Sequence, residues 1–282
     1  MKICVSSEST IDLPKEILDE FGIKTVPFTI LLGDKTGFDG VINPDDIYDY
    51  VDMTGELPKT SAVNDAQYEE FFKGLLKDYD EVIHIAFSSE LSSACSNAFR
   101  VAQDLGHVHV IDSRTLSSAI ALLAIYASDL VKEGKSVDEI VELVSKRVNK
   151  AQASFVITSV DYLYKGGRCS ALAKLGAQLF RIRPQIVVRD GKMLPGKKYM
   201  GKISDCVKQY CADILEEFNN PDLSYAFLTY SSEIPEMIQE AEKALKAKGF
   251  KRIFYNRAGS TISSHCGPRC LGILYFTDGG VK

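Results

Sequence analysis

Hydroxyl residues gather in short runs along this chain: Ser6-Ser7-Glu8-Ser9-Thr10, Thr60-Ser61, Ser88-Ser89, Ser92-Ser93, and Ser263-Ser264 ahead of His265. Several of these runs follow an apolar, β-rich stretch and precede a helical pattern. In an open parallel sheet such loops share the edge at the carboxyl ends of the strands, where ligands bind. Hydroxyls and helix N-terminal amides receive a carboxylate or phosphate without needing a positive side chain. Taken singly, each run reads as the cap of its helix. All of them on one edge, joined by a His from the far end of the chain, point to an anion site.

Other residues carry weaker chemistry. Ser92, His265 and Asp112 are the types of a nucleophile, base and orienter, but no G-x-S-x-G elbow exists and nothing places an oxyanion hole. A Ser–His lipid hydrolase or acyltransferase is therefore the second reading. Lys165-Gly166-Gly167-Arg168 is either a tight turn with a solvated Arg or a loop presenting Arg168 to an anionic ligand or partner. His107 and His109 share a strand face, yet no carboxylate or Cys stands at a matching local spacing, so they read as strand residues. His265-Cys266 with Cys270 fits no standard zinc spacing, and Gly267-Pro268 reads as a tight turn. No metal is expected. Gly134-Lys135-Ser136 lacks the upstream Gly of a phosphate loop, since Asp129 stands there, and reads instead as a helix stop and cap.

The elements that must position these residues come in two styles. Strands are expected at Lys2–Val5, Thr25–Leu32, Glu81–Phe87 and Val108–Ile111. Helices are expected at Pro14–Phe21, from Asn43-Pro44 to Val51, from Asn64 onward with a Gln67 capping box, and at Ser92–Leu105, Ser117–Lys132 and Val137–Lys150. This alternation predicts a parallel, Rossmann-like α/β domain over residues 1–152. After Gln152 the pattern changes. Strand Phe155–Val160 and helix Ser170–Phe180 lead to a hairpin over Gln185–Leu194 with Asp190-Gly191 as a type I′ turn. Helices Lys202–Phe218 and Ile234–Lys248 and strands Tyr225–Tyr230, Arg252–Asn256 and Leu271–Phe276 complete a mixed α+β domain over 153–282.

Composition narrows the functions. The chain has 282 residues, 45% hydrophobic and 25% charged, which are ordinary globular values. Its net charge of −5 and the lack of any Lys/Arg run longer than two argue against nucleic acid. The longest apolar run, Ala119–Ala127, has nine residues, far short of the ~20 needed to span a bilayer. With no signal-like start, a cytoplasmic location is expected. Seven cysteines cannot all pair, so reduced thiols are the default.

Taken in order, the motifs resemble those of the DegV family of bacterial fatty-acid-binding proteins, from end to end. Ser7-Glu8-Ser9-Thr10 stands at the family's Thr-Asp-Ser-Thr-like loop, with Glu for the usual Asp. Asp39-Gly40-Val41, Thr60-Ser61 and Ser88-Ser89-Glu90-Leu91-Ser92 follow, then Ser93-Ala94 where Gly-Thr is usual. Val110-Ile111-Asp112-Ser113, Lys165-Gly166-Gly167-Arg168, Arg183-Pro184 through Asp190-Gly191, and His265-Cys266-Gly267-Pro268 complete the series, with Arg269 where Gly is common. The resemblance implies a non-enzymatic two-domain protein with no cofactor, holding one long-chain fatty acid. It places the carboxylate at Thr60 and Ser92, with Ser61, Ser93 and His265 close by, and the tail in an apolar tunnel. It also implies a separate ATP-dependent fatty acid kinase as partner, making an acyl phosphate for phospholipid synthesis.

Overall fold

The computed structural model describes residues 1–169, 171 and 182–280. The first part of the chain runs β1 (Ile3–Glu8), α1 (Lys15–Phe21), β2 (Lys24–Val26), β3 (Thr29–Leu32), β4 (Lys35–Phe38), α2 (Pro44–Thr54) and β5 (Lys59–Ser61). It continues with α3 (Asp65–Leu75), β6 (Glu81–Ala86), α4 (Ala94–Leu105), β7 (Val108–Asp112), α5 (Ser118–Lys132) and α6 (Val137–Arg147). Strands β2-β1-β6-β7 form an all-parallel sheet. Local signals set many of these boundaries. Asn64 and Gln67 exchange reciprocal side-chain to backbone bonds at the start of α3, both at 3.0 Å, and Ser136 with Glu139 does the same for α6.

The second part adds β8 (Ala151–Gln152), β9 (Ser154–Val156), α7 (Asp161–Lys165), β10 (Arg183–Arg189), β11 (Lys192–Tyr199) and α8 (Ile203–Glu217). It ends with β12 (Tyr225–Tyr230), α9 (Pro235–Lys248), β13 (Arg252–Arg257), α10 (Ser260–Cys266) and β14 (Leu271–Phe276). These strands make a mixed sheet in the order β11-β10-β9-β14-β12-β13, with β8 also on β14. The molecule is thus α/β, with an N-terminal parallel sheet and a C-terminal mixed sheet. Helix α5 lies between them, packed on β1 and β6 on one side and on β12 and β14 on the other. That position explains why the run Ala119–Ala127 is apolar on every face.

Several expectations need correction. The single strand over Thr25–Leu32 is two strands in different sheets. Pro27 has no N–H to donate, so pairing with β1 stops at Val26, and β3 joins an antiparallel sheet β4-β3-β5 instead. The helix expected from Ser92 starts at Ala94, because Leu91 and Ser92 donate back to the Ser88 carbonyl in a turn. Strand β9 stops at Val156 rather than Val160, and α6 tightens into a 3-10 turn at Val148–Lys150. Strands β4 and β5 and the short helices α7 and α10 had no clear sequence signal. The helix expected over Ser170–Phe180 falls almost wholly outside the described residues. The Asp190-Gly191 turn matches its reading: both residues have positive φ, 50° and 82°, as type I′ requires. Ser88 Oγ donates to the Gly191 carbonyl at 2.9 Å, docking this hairpin onto the loop after β6.

Candidate functional site

Thr60, Ser61, Ser92, Ser93, Arg168 and His265 all line one cavity of about 280 Å³. They do not lie on one edge of one sheet, as the sequence suggested. Thr60 and Ser61 belong to β5 of the antiparallel sheet, and Ser92 and Ser93 to the turn before α4. Arg168 follows α7, and His265 sits on α10. The cavity therefore lies where the sheets meet. Phe28, Phe87, Leu116, Phe155, Leu163 and Leu274 provide apolar wall. At a water's share of ~30 Å³, the volume has room for roughly nine waters.

At the polar part, Thr60 Oγ1 and His265 Nε2 are in hydrogen-bond contact at 2.8 Å. His265 Nδ1 is buried with no partner. Gly166 explains how the ring is held: a Cβ there would fall 2.7 Å from Nδ1 and 2.6 Å from the Tyr162 carbonyl. Only a glycine lets the end of α7 close over the imidazole. The Arg168 guanidinium donates to the Gly166 carbonyl at 2.6 Å, and among the described residues it joins no ion pair. Burial holds that guanidinium below its usual range.

Helix α10 has weak helical sequence and takes its position from two distant carboxylates. Asp12 Oδ1 accepts from Gly259 N at 2.8 Å, and Asp39 Oδ1 accepts from Ser260 N at 2.8 Å. Asp39 Oδ2 also accepts from Ser9 Oγ at 2.9 Å. The Asp39-Gly40-Val41 motif thus positions the helix that carries His265. Burial, with Asp39 nearby, pushes the Asp12 carboxyl well above its usual range, although Ser117 donates to it. At the end of β1, Glu8 is fully buried and accepts from Tyr68 Oη at 2.5 Å, Phe87 N at 2.9 Å and His84 Nε2 at 3.3 Å. Burial alone would raise this carboxyl; the neighbouring His84 and these hydrogen bonds outweigh it and hold Glu8 below its ordinary value. Phe87, anchored by Glu8, turns into the cavity wall.

The nucleophilic set is not assembled. Ser92 Oγ accepts from Ala94 N at 3.1 Å, a local cap-like bond, while His265 pairs with Thr60. Asp112 accepts from Ser89 Oγ at 2.6 Å and Arg114 N at 2.9 Å. His109 lies in β7, as read, and His107 just before it; both contact the remote Glu81 carboxylate, each at 2.9 Å. Among the described residues, no cluster of three or more His, Cys, Asp or Glu is placed to hold a metal. No helix there is long and apolar enough to cross a membrane.

Sequence comparison then decides the family. The family described as uncharacterised protein, DegV family, matches residues 2–278. The chain belongs to the DegV family. A DegV domain-containing protein of Caldanaerobacter subterraneus is 28% identical to it over 282 residues, covering 97% of this chain and 98% of that protein. The fatty-acid-binding DegV family protein of Thermus thermophilus superposes with a TM-score of 0.89 at 24% identity, over 98% of this chain and 99% of that one. The fatty acid kinase (Fak) B3 protein of Streptococcus pneumoniae, solved loaded with linoleic acid, gives a TM-score of 0.84 at 20% identity, over 99% of this chain and 100% of that one. These likenesses establish the DegV fold.

In this DegV protein the state of His265 has a measurable consequence. Burial, then the charge of Arg168, lowers its pKa from 6.5 to about 3. The unfolded chain takes up a proton near pH 6.5 that the folded protein refuses until about pH 3. Stability from this group is full above pH 6.5 and falls by ~1.4 kcal/mol per pH unit below it. Urea unfolding of lipid-free protein between pH 4 and 7 checks this, because His265→Gln should reduce the slope by one proton. Equal slopes in the two proteins would mean that His265 titrates normally when folded.

Proposed function

We propose that this chain binds one long-chain fatty acid, with its carboxylate at Thr60, Ser61, Ser92, Ser93 and His265 and its tail along the apolar wall. The observation that carries this reading is one cavity in which a neutral imidazole, the hydroxyls of Thr60, Ser61, Ser92 and Ser93 among others, and a guanidinium that joins no ion pair among the described residues share the wall with aromatic and aliphatic side chains. Burying a sixteen-carbon tail contributes about 12 kcal/mol before ordering costs, at ~0.8 kcal/mol per methylene. The carboxylate is the demanding end, since a desolvated charge must be hydrogen-bonded.

The hydrogen-bond network suits that task. An orphaned N–H is costlier than an orphaned lone pair, so the buried, partnerless Nδ1 is assigned no proton. Nε2–H then donates to Thr60 Oγ1, which frees the Thr60 hydroxyl proton for a ligand carboxylate. Arg168 is close enough to influence His265 and supplies the attraction for the anionic head or for a phosphoryl donor. A separate fatty acid kinase is the partner in this reading, supported by the likeness to the Fak B3 protein. The protein itself then carries the acid without consuming it.

Mass spectrometry of the organic extract tests the assignment. About one fatty acid per chain should be recovered, and stripped protein should take up palmitate or oleate. With ATP alone, no acyl phosphate should form. Preparations that hold no stoichiometric lipid and take up none would overturn the binding role. Acyl phosphate made without a kinase would overturn the carrier role.

A further inference from the structure

The cavity with room for roughly nine waters is short of space for a long acyl chain. A methylene fills about as much room as a water, and palmitate brings well over that number of carbons. A second space lies directly behind the cavity wall, a cleft of about 480 Å³. It stands at the carboxyl ends of two parallel strand pairs, β1 with β2 and β12 with β13. Leu13, Pro14, Leu18, Tyr230 and Tyr255 give it apolar sides. The wall between the two spaces is a single layer. Ser117 lines the cavity, Asp12 lines the cleft, and Ser117 Oγ donates to Asp12 Oδ2. Ala258 lines the cavity and its neighbour Gly259 the cleft, while Tyr230 borders both. Ser117 sits at φ 53° and ψ −140°, a conformation that suits glycine and strains a side chain. The charged groups of the cleft already have partners. Asp12 also accepts from Gly259 N, Asp39 accepts from Ser9 Oγ and Ser260 N, and Arg257 pairs with Asp45. An alkyl chain entering there strips water from no lone charge.

We propose that this cleft is a second subsite, which takes the distal end of a long acyl chain after the chain has parted the Ser117–Asp12 layer. The assignment rests on the lipid reading of the cavity. The cavity then serves the head group and the first carbons, and the cleft receives the remainder against Leu13, Leu18 and Tyr255. Parting the layer gives up one hydrogen bond and lets Ser117 leave its strained conformation. Medium-chain acids fill the cavity and stop at the wall. Longer acids cross it and bury further apolar surface in the cleft. The protein thus selects long chains by the surface they gain beyond the wall.

Stripped wild-type and Thr25→Trp protein are titrated with decanoate and with stearate. Thr25 lines the cleft and not the cavity, so the indole fills the cleft and leaves the proposed head-group residues in place. Decanoate should bind both proteins alike, and stearate should bind the variant at least tenfold more weakly. A second measurement needs no variant. Stearate bearing a diazirine on its terminal carbon is irradiated in the wild-type protein, and the cross-linked peptides are mapped by mass spectrometry. The label should fall on residues 13–18 or on Tyr255. Label confined to residues of the cavity, or unchanged stearate affinity in folded Thr25→Trp, would overturn the subsite. Wild-type protein that binds neither acid would instead overturn the lipid reading on which the subsite rests.

Discussion

Thr60→Val should weaken fatty-acid binding about ten- to a hundredfold. A hydrogen bond to a charged group contributes ~1.5–3 kcal/mol, and each 1.4 kcal/mol is a factor of about ten in dissociation constant. Valine keeps the shape of threonine and deletes the donor. It also leaves His265 Nε2–H without the partner now 2.8 Å away, so some stability is lost as well, ~1–3 kcal/mol for a buried orphan donor. Affinity must therefore be measured on folded protein, alongside the melting temperature. Ser92→Ala separates two roles, because Ser92 Oγ already accepts from Ala94 N. If Ser92 acts only as a local cap, the change costs about 1 kcal/mol of stability and leaves affinity alone. If it also meets the carboxylate, affinity falls and the double variant is non-additive, since both hydroxyls share one ligand. Wild-type affinity in all three variants would place the carboxylate elsewhere.

Arg147→Met should cost the fold more than any single hydroxyl, ~3–5 kcal/mol. Arg147 is only 5% exposed at the end of α6. Its guanidinium meets Asp278 through two bonds of 2.8 Å and Asp222 through one of 3.0 Å. It also lies 3.7 Å from the Phe276 ring centroid and 4.5 Å from that of Tyr126. Removing it leaves two sheltered carboxylates facing one another. Burial works against both, but Arg147 and nearby donors hold Asp222 and Asp278 below the usual carboxylate range. Their contribution is complete above the unfolded carboxylate pKa of ~3.9 and is lost as pH falls through their lower folded values. The gap between variant and wild type should narrow in that acid range. Thermal unfolding at pH 7 should show a drop of roughly 10 °C, and adding Asp222→Asn should recover part of it. A variant as stable as wild type would show the cluster to be energetically idle.

Much of this architecture could be read from short-range chemistry. Caps at Asn64 and Ser136, the Asp190-Gly191 turn and the alternation of strands and helices each act within a few residues, so a one-dimensional pattern records them. The misreadings arise where the deciding partner is remote. The strand expected over Thr25–Leu32 is the exception: the missing donor at Pro27, inside the run itself, splits it between sheets. Helix α10 is Ser-Thr-Ile-Ser-Ser-His-Cys, poor helical material made to hold by Asp12 and Asp39. Glu81 lies 26 and 28 residues from the two histidines it contacts, beyond any local spacing rule. The residues lining the cavity were legible as hydroxyl runs with a His. Their meeting place between sheets was not, because it depends on how β5 and α10 leave the parallel layer. Gly166 looked like part of a turn, and its closeness to His265 has no local signature.

Helix α5 has parallel strands on one flank and mixed strands on the other, with Ala119 to Ile125 entirely shut away from water. A helix so enclosed belongs to neither half. Cutting the gene after residue 152 would hand the N-terminal piece a greasy rod with one side bare, and the C-terminal piece a sheet stripped of its lid. Each fragment would seek other copies of itself before it found a ligand. For anyone engineering new proteins from this scaffold, swapping halves between relatives means carrying α5 together with both of the surfaces it seals.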